Sequence, residues 1–229
     1  MDSIILNGVK SDTIKGLMIQ KLPPISKPLL RTEIEEVDGR DGDIITPLGY
    51  SAYDKTMTIG LYKDFDVDDV IRYFASEGTV SFSNEPSKYY RYTIIDQIDL
   101  EKLIRYRTAT VVFHVQPFKY SAVEHPLVSS QSPMTIINSG NVKSKPIITI
   151  RGTGQVVLSL NGSAVLAMVI SHREITIDVE ALEAYTENLL LNRSVAGDYN
   201  NLMLDVGVST LSWTGNVSKV TVDRYSRWI

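Results

Sequence analysis

The chain has 229 residues, of which 43% are hydrophobic, and a formal net charge of −4. This length allows one large domain or two modest ones with separate cores. The mild negative charge argues against a general nucleic-acid-binding protein, which needs a basic surface. The absence of cysteine excludes disulfides, thiolate metal sites and a cysteine nucleophile.

The N-terminal residues do not have the pattern of a targeting segment. Residues 1–8 contain no basic region followed by an apolar stretch, so we expect no secretory signal. The longest apolar run, residues 164–170, is far shorter than the about 20 residues that a membrane span requires. We therefore predict a chain without a membrane segment.

The first half of the chain is dominated by strand patterns. Residues 37–43 combine two glycines with three aspartates between strand-like stretches, which predicts the tip of a β-hairpin. Residues 55–62 and 108–115 alternate apolar and polar side chains, as half-buried strands do. Residues 67–76 carry apolar side chains at helical spacing after Asp66, which can cap the N-terminus. This predicts one α-helix packed on a sheet.

A change of composition suggests a domain boundary in the middle of the chain. Residues 121–133 contain two prolines and four serines, a composition typical of a linker. Residues 147–150 and 155–160 predict two separate short strands, and Asn161-Gly162 is a strong hairpin signal. We predict a mainly β chain with an N-terminal β-sandwich that contains the helix (residues 1–133) and a C-terminal β-sandwich (residues 134–229).

The residues that could support metal binding lack their partners. Residues 64–69 resemble the start of a calcium loop, but the glycine and glutamate expected at its sixth and twelfth positions are missing. His114, His125 and His172 are not at metal-ligand spacing from one another. We therefore predict no catalytic residue, no metal site and no cofactor.

Two other groups of residues leave alternatives open. Glu33 and Glu35 alternate with Thr32 and Ile34, as residues on the solvated face of a strand do. The abundant carboxylates also allow the alternative of a β-sandwich glycosidase. Trp213 fits a core position in a strand, but a tryptophan on a β-sandwich can also stack on a sugar ring. Trp228, next to the last residue, is interpreted as an anchor of the terminus.

Several stretches resemble, in the right order, the siphophage distal tail protein family. Residues 204–209 keep the leucine and glycine of a family motif but lack its proline and asparagine, and Asp38 stands where the family hairpin has proline. The similar stretches are Ile5-Leu6-Asn7-Gly8-Val9-Lys10, Val37-Asp38-Gly39-Arg40-Asp41-Gly42, Val115-Gln116-Pro117-Phe118-Lys119-Tyr120, Asn138-Ser139-Gly140-Asn141, Ser144-Lys145-Pro146-Ile147, Ile150-Arg151-Gly152-Thr153-Gly154, Leu211-Ser212-Trp213-Thr214-Gly215-Asn216-Val217 and Arg227-Trp228-Ile229.

The resemblance implies a structural role at the tip of a phage tail, without enzymatic activity. The N-terminal domain would form a hexameric ring, and the C-terminal domain would be a galectin-like β-sandwich. The ring would join the tail tube protein to a tail-associated lysin or tip protein, and to receptor-binding or baseplate proteins. DNA would only pass through the lumen, and the ring would assemble in the cytoplasm of the bacterial host.

Six residues are candidates for contacts in this assembly. Gly39, Arg40, Asp41 and Gly42 lie in the predicted hairpin, which could reach a neighbouring copy and pair with an edge strand. Arg227 and Trp228 form the predicted terminal anchor. The alternative function is a carbohydrate-binding module that attaches to glycans of the host cell wall, for which Trp213 is the candidate residue.

Overall fold

The structure is a computed structural model that describes residues 2–187 and 189–229. The chain divides into two compact units, residues 2–122 and 123–228. Each unit has its own hydrophobic core. Within the described residues, neither of the two α-helices is long and apolar enough to cross a membrane.

The first unit contains most of the helical structure and a curled antiparallel sheet. Its elements are β1 (Ile4–Leu6), β2 (Val9–Lys10), β3 (Leu17–Lys21), β4 (Leu30–Glu36), β5 (Asp43–Tyr50), β6 (Tyr53–Leu61), α1 (Val67–Tyr73), β7 (Glu77–Phe82), β8 (Lys88–Thr93), α2 (Leu100–Tyr106) and β9 (Thr108–Ser121). The strands of the main sheet follow the order β2-β1-β7-β8-β9-β6-β3, whereas β4 and β5 form a sheet of their own.

The long strand β9 gives this sheet its curvature. Its first half pairs with β6 and its second half pairs with β8. The alternation predicted for β6 and β9 is confirmed, since Met57, Ile59, Val111 and Phe113 are fully buried in the core. The prediction of a mainly β chain is therefore confirmed for this unit. The predicted apolar side chains of both strands lie on the inner face of its sheet.

Helix α1 begins where the sequence predicts and ends earlier. The Asp66 side chain accepts hydrogen bonds from the backbone amides of Asp68 and Asp69, so the capping interpretation is confirmed. The helix ends at Tyr73, because the chain must become extended to enter β7 at Glu77. Helix α2 was not predicted, although Asp99 caps it in the same way by accepting from the Lys102 amide.

The second unit is a β-sandwich that begins before the predicted boundary at 133/134. Residues 127–129, within the stretch interpreted as a linker, pair with residues 220–222 of the last long strand. Its strands are β10 (Leu127–Ser129), β11 (Met134–Asn138), β12 (Ile147–Leu160), β13 (Ser163–Ile170), β14 (Glu174–Asp178), β15 (Glu183–Thr186), β16 (Leu189–Leu190), β17 (Val195–Gly197), β18 (Gly207–Asp223) and β19 (Arg227–Trp228).

Two long bent strands, β12 and β18, connect the two layers of this sandwich. They pair with each other along most of their length, and β12 pairs with β14 through its first half and with β13 through its second. Register shifts in the β12–β18 pairing between Arg151 and Val156 mark the bend. The prediction of two separate strands over residues 147–150 and 155–160 was wrong, because bulges bend one continuous strand there.

The bend requires glycine at position 215, which gives a testable difference between two glycines of β18. Gly207 and Gly215 both have positive φ, but a Cβ on Gly215 would lie 2.2 Å from the Gln155 carbonyl oxygen, whereas a Cβ on Gly207 would meet nothing within 4 Å. We expect Gly215→Ala to lower the free energy of unfolding by about 3 kcal/mol or more, and Gly207→Ala by about 1–2 kcal/mol. Calorimetry of the two variants measures this, and equal losses would contradict the account.

Candidate interaction site

Strands β4 and β5 form a two-stranded hairpin, here called the arm (residues 30–50). Their register places Ile34 opposite Ile45 and Thr32 opposite Pro47. A β-bulge near Arg31 leaves Leu48 as the extra residue on β5. Isolated two-stranded hairpins are at best marginally stable in water. The arm is therefore expected to need a further surface to pack against.

The two faces of the arm differ in character. Residues directly opposite in an antiparallel pair share a face, so Ile34, Ile45 and Pro47 lie on one face and Glu33 lies with Thr46 on the other. The side chains Ile34 and Ile45 are 59% and 60% exposed. Leu48 is exposed as well. Exposed apolar side chains grouped on one face in this way are typical of a protein–protein contact.

The tip of the arm confirms the hairpin predicted over residues 37–43. The Arg40 amide donates to the Val37 carbonyl at 3.1 Å, closing the turn. Gly39 and Gly42 have φ of +81° and +76°, a region that glycine adopts without strain. Arg40 and Asp41 are exposed beside them. The four predicted residues therefore lie together at an exposed tip, and their role in a contact stays a prediction.

The predicted terminal anchor belongs to the second unit, whereas the tip residues belong to the first. The Arg227 Nε donates to the Lys143 carbonyl at 2.6 Å, and the Arg227 carbonyl accepts from the Asn141 amide. Arg227 is only 9% exposed, and Trp228 is half-buried. A Cβ on Gly140 would lie 2.2 Å from the Arg227 carbonyl oxygen, so glycine permits this close approach.

A hydrogen-bonded cluster leads into this terminal segment. The Glu124 carboxylate accepts from the backbone amide and the hydroxyl of Ser226, and Arg224 Nε lies 3.3 Å from it. Burial, and secondarily the charge of Glu124, raise the pKa of Asp223 nearby. These contacts hold the segment before β19 within the second unit.

A buried charge cluster lies under the chain segment that leads into the arm, residues 22–29, here called the root. Lys55 of β6 is 2% exposed, and its Nζ donates to the Pro24 carbonyl at 2.9 Å. The same Nζ lies 4.8 Å from the ring centroid of Tyr90, which favours a cation there. The Glu85 carboxylate is 3.9 Å away.

Glu85 connects the cluster to a second lysine. Its carboxylate accepts from Lys119 Nζ at 2.8 Å and from the Tyr90 hydroxyl at 2.5 Å. Burial would raise the pKa of Glu85, but these two hydrogen bonds and the charges of Lys119 and Lys55 leave it below its usual value. Burial lowers the pKa of Lys55, and Glu85 opposes that effect. This cluster was not predicted from the sequence.

The tryptophan considered for sugar stacking is buried, and the described part of the chain holds no group of side chains that fits a metal centre. Trp213 is 8% exposed and packs in the core of the second unit, as its preferred interpretation predicts, so it cannot present its ring to a sugar. Among residues 2–187 and 189–229, no group of three or more His, Asp or Glu side chains could hold a metal ion. His114 pairs with Asp54 at 2.7 Å.

Comparison with known proteins relates the fold to phage tails. No protein-family model matches the sequence, and no curated protein matches it. The Dit protein of phage SPP1, described as a paradigm of the hub adsorption apparatus in phages that infect Gram-positive bacteria, is similar with a TM-score of 0.68 and 16% identity over 98% of this chain and 99% of that one.

Two structures of the phage P2 baseplate in its activated conformation are also similar. The one with Ca has a TM-score of 0.55 and the one with Sr a TM-score of 0.51, each at 10% identity over 97% of both chains. The similarity extends over both units in all three cases. The chain therefore shares its fold with the SPP1 Dit protein and with a chain of the phage P2 baseplate.

Proposed function

We propose that this chain is a structural distal tail protein of a long-tailed phage, whose copies assemble into a hexameric ring at the end of the tail tube. The fold shared with the SPP1 Dit protein over nearly the whole chain supports a role in a tail hub. The function is assembly and docking, not catalysis.

The observation that carries the proposal is the exposed arm. Its apolar face, centred on Ile34 and Ile45, has no cover in the first unit. A ring is built from one heterologous interface repeated around a closed axis, in which a feature of one copy meets a different surface of the next. An arm that lies outside the main sheet of its unit suits such an interface, because its apolar face can pack against the neighbouring copy.

The partners follow from the position of a hub. The ring joins the tail tube protein on one side to a tail-associated lysin or tip protein on the other, and receptor-binding or baseplate proteins attach around it. The adsorption hub named for the SPP1 protein supports this arrangement. DNA passes through the lumen without specific contacts, and the ring is located at the virion tail tip after assembly in the host cytoplasm.

Electron micrographs of the purified protein test the proposal. We expect closed rings with six-fold symmetry, because the repeated interface must close to give a defined hub. Single 25.6 kDa particles, or open filaments, would contradict it. Binding of purified cell-wall glycan by a chain that remains single would instead favour the carbohydrate-binding alternative.

A further inference from the structure

The root of the arm is attached to the first unit by a small set of polar contacts. The Pro24 carbonyl accepts from Lys55 Nζ at 2.9 Å, and the Pro23 carbonyl accepts from Asn84 Nδ2 at 3.0 Å. Further along, the Tyr53 hydroxyl donates to the Ser26 carbonyl at 3.4 Å. Three backbone carbonyls of the root are thus held by side chains from the rest of the first unit.

Lys55 is the unusual member of this set, because a lysine is almost never fully buried without a close partner. Its side chain is 1% exposed. Glu85, at 3.9 Å, is too far for a hydrogen bond and already accepts from Lys119 at 2.8 Å. The hydrogen bond of Lys55 therefore goes to the Pro24 carbonyl, with aromatic rings around the ammonium group.

Packing of the core does not require a charged side chain at position 55. A methionine would fill the same space, and Glu85 would keep Lys119 and the Tyr90 hydroxyl. Replacing a buried charge by an apolar side chain of similar volume is often neutral or stabilising when no opposite charge is left unpaired. What the ammonium group provides that methionine cannot is a donor for the root.

We propose that Lys55 is a positioning residue that fixes the direction of the arm by holding the Pro24 carbonyl, and so prepares the arm for contact with the next copy in the ring. This inference rests on the proposed ring function. Pro23 and Pro28, buried at the two ends of the root, restrict its backbone, so the hydrogen bond from Lys55, the shorter of the two that reach carbonyls between them, has a large influence on its path. A preorganised arm loses less conformational entropy when it binds.

The absence of cysteine allows a direct test with spin labels. Cysteines are introduced at Glu33 on the arm and Thr110 on the outer side of β9, both exposed, and the distance distribution between the labels is measured by pulsed electron resonance. Labelled chain is diluted with unlabelled chain so that pairs within one copy dominate. The test variant is Lys55→Met, and the matched control is Lys119→Met, which removes a lysine from Glu85 but none from the root.

In Lys55→Met we expect the distribution to broaden about twofold, because a held segment becomes locally free. We also expect the concentration at the midpoint of ring assembly to rise about tenfold. A rise of this size corresponds to about a tenth of the chains holding the arm in the direction that binds the next copy. The melting temperature should be nearly unchanged. In Lys119→Met we expect a lower melting temperature and an unchanged distribution.

An unchanged distribution in Lys55→Met, or equal broadening in both variants, would overturn the inference. Broadening without any change in assembly would overturn the link to the ring. If the wild-type chain never assembles and Lys55→Met still broadens the distribution, the ring function fails while the positioning of the arm by Lys55 stands.

Discussion

Replacing Glu85 by alanine is expected to lower the free energy of unfolding of the first unit by about 3–5 kcal/mol, the range seen when one partner of a buried ion pair is removed. The Glu85 side chain is 9% exposed, and its loss leaves Lys55 and Lys119 facing each other without a carboxylate. The Tyr90 hydroxyl loses its acceptor as well. Denaturant unfolding measures the effect.

An exposed carboxylate provides the control for this variant. Glu33→Ala removes the same group from the arm, where solvent screens it, and should change the free energy of unfolding by less than about 0.5 kcal/mol. Equal effects of Glu33→Ala and Glu85→Ala would show that the cluster contributes nothing beyond the charge itself.

The dependence of stability on pH has a defined sign at this cluster. The pKa of Glu85 lies below its usual value of 4.5, so its contribution is present above that pH and is lost as the pH falls through the lower, folded value. The pKa of Lys55 is lowered from 10.5, so the folded state binds fewer protons there and stability rises as the pH approaches 10.5. In Glu85→Ala the acid-side loss should disappear and the alkaline gain should grow.

The second large effect is expected at the apolar face of the arm. Ile45→Lys places an ammonium group opposite Ile34, in the surface that we propose is covered by the next copy. Burying an unpaired charge is costly, and loss of a central apolar contact weakens binding by about 2 kcal/mol or more. We therefore expect the midpoint concentration of ring assembly to rise by about 30-fold or more. Sedimentation across a concentration series measures it.

The adjacent position supplies a matched control. Thr46→Lys adds the same charge to the same strand but on the opposite face, across from Glu33. Both positions are exposed in the single chain, so neither variant should unfold it. Assembly of Thr46→Lys should stay within about threefold of the wild type. If both variants weaken assembly equally, the apolar face is not the contact.

The features predicted most accurately from the sequence depend on local chemistry. Asp66 before a helical pattern, the two glycines of residues 37–43 and Asn161-Gly162 each specify a backbone conformation through neighbouring residues, and the structure has the helix start and both turns. The end of α1 was misplaced because pairing of β7 with β8, a long-range contact, decides where the helix stops. The bend in β12 was missed for the same reason, since β18 determines it.

The candidate site was only partly predictable. The turn at Gly39 and Gly42 was predicted, and its role in a contact stays a prediction. The apolar face depends on the register between β4 and β5, which a single sequence does not reveal. Lys55 could have been found, because it is in the same alternation as Met57 and Ile59 and must therefore point inward. Its partners Glu85 and Lys119 are distant in the chain, so their proximity required the structure.

The mass of the assembled protein tests the central claim most directly. Light scattering of the purified wild-type chain over a range of concentrations should show a species six times the 25.6 kDa of the single chain. The same measurement on Ile45→Lys should show the single chain at concentrations where Thr46→Lys is still assembled. A wild-type chain that remains at 25.6 kDa at the highest concentration would contradict the ring and the role of the arm in it.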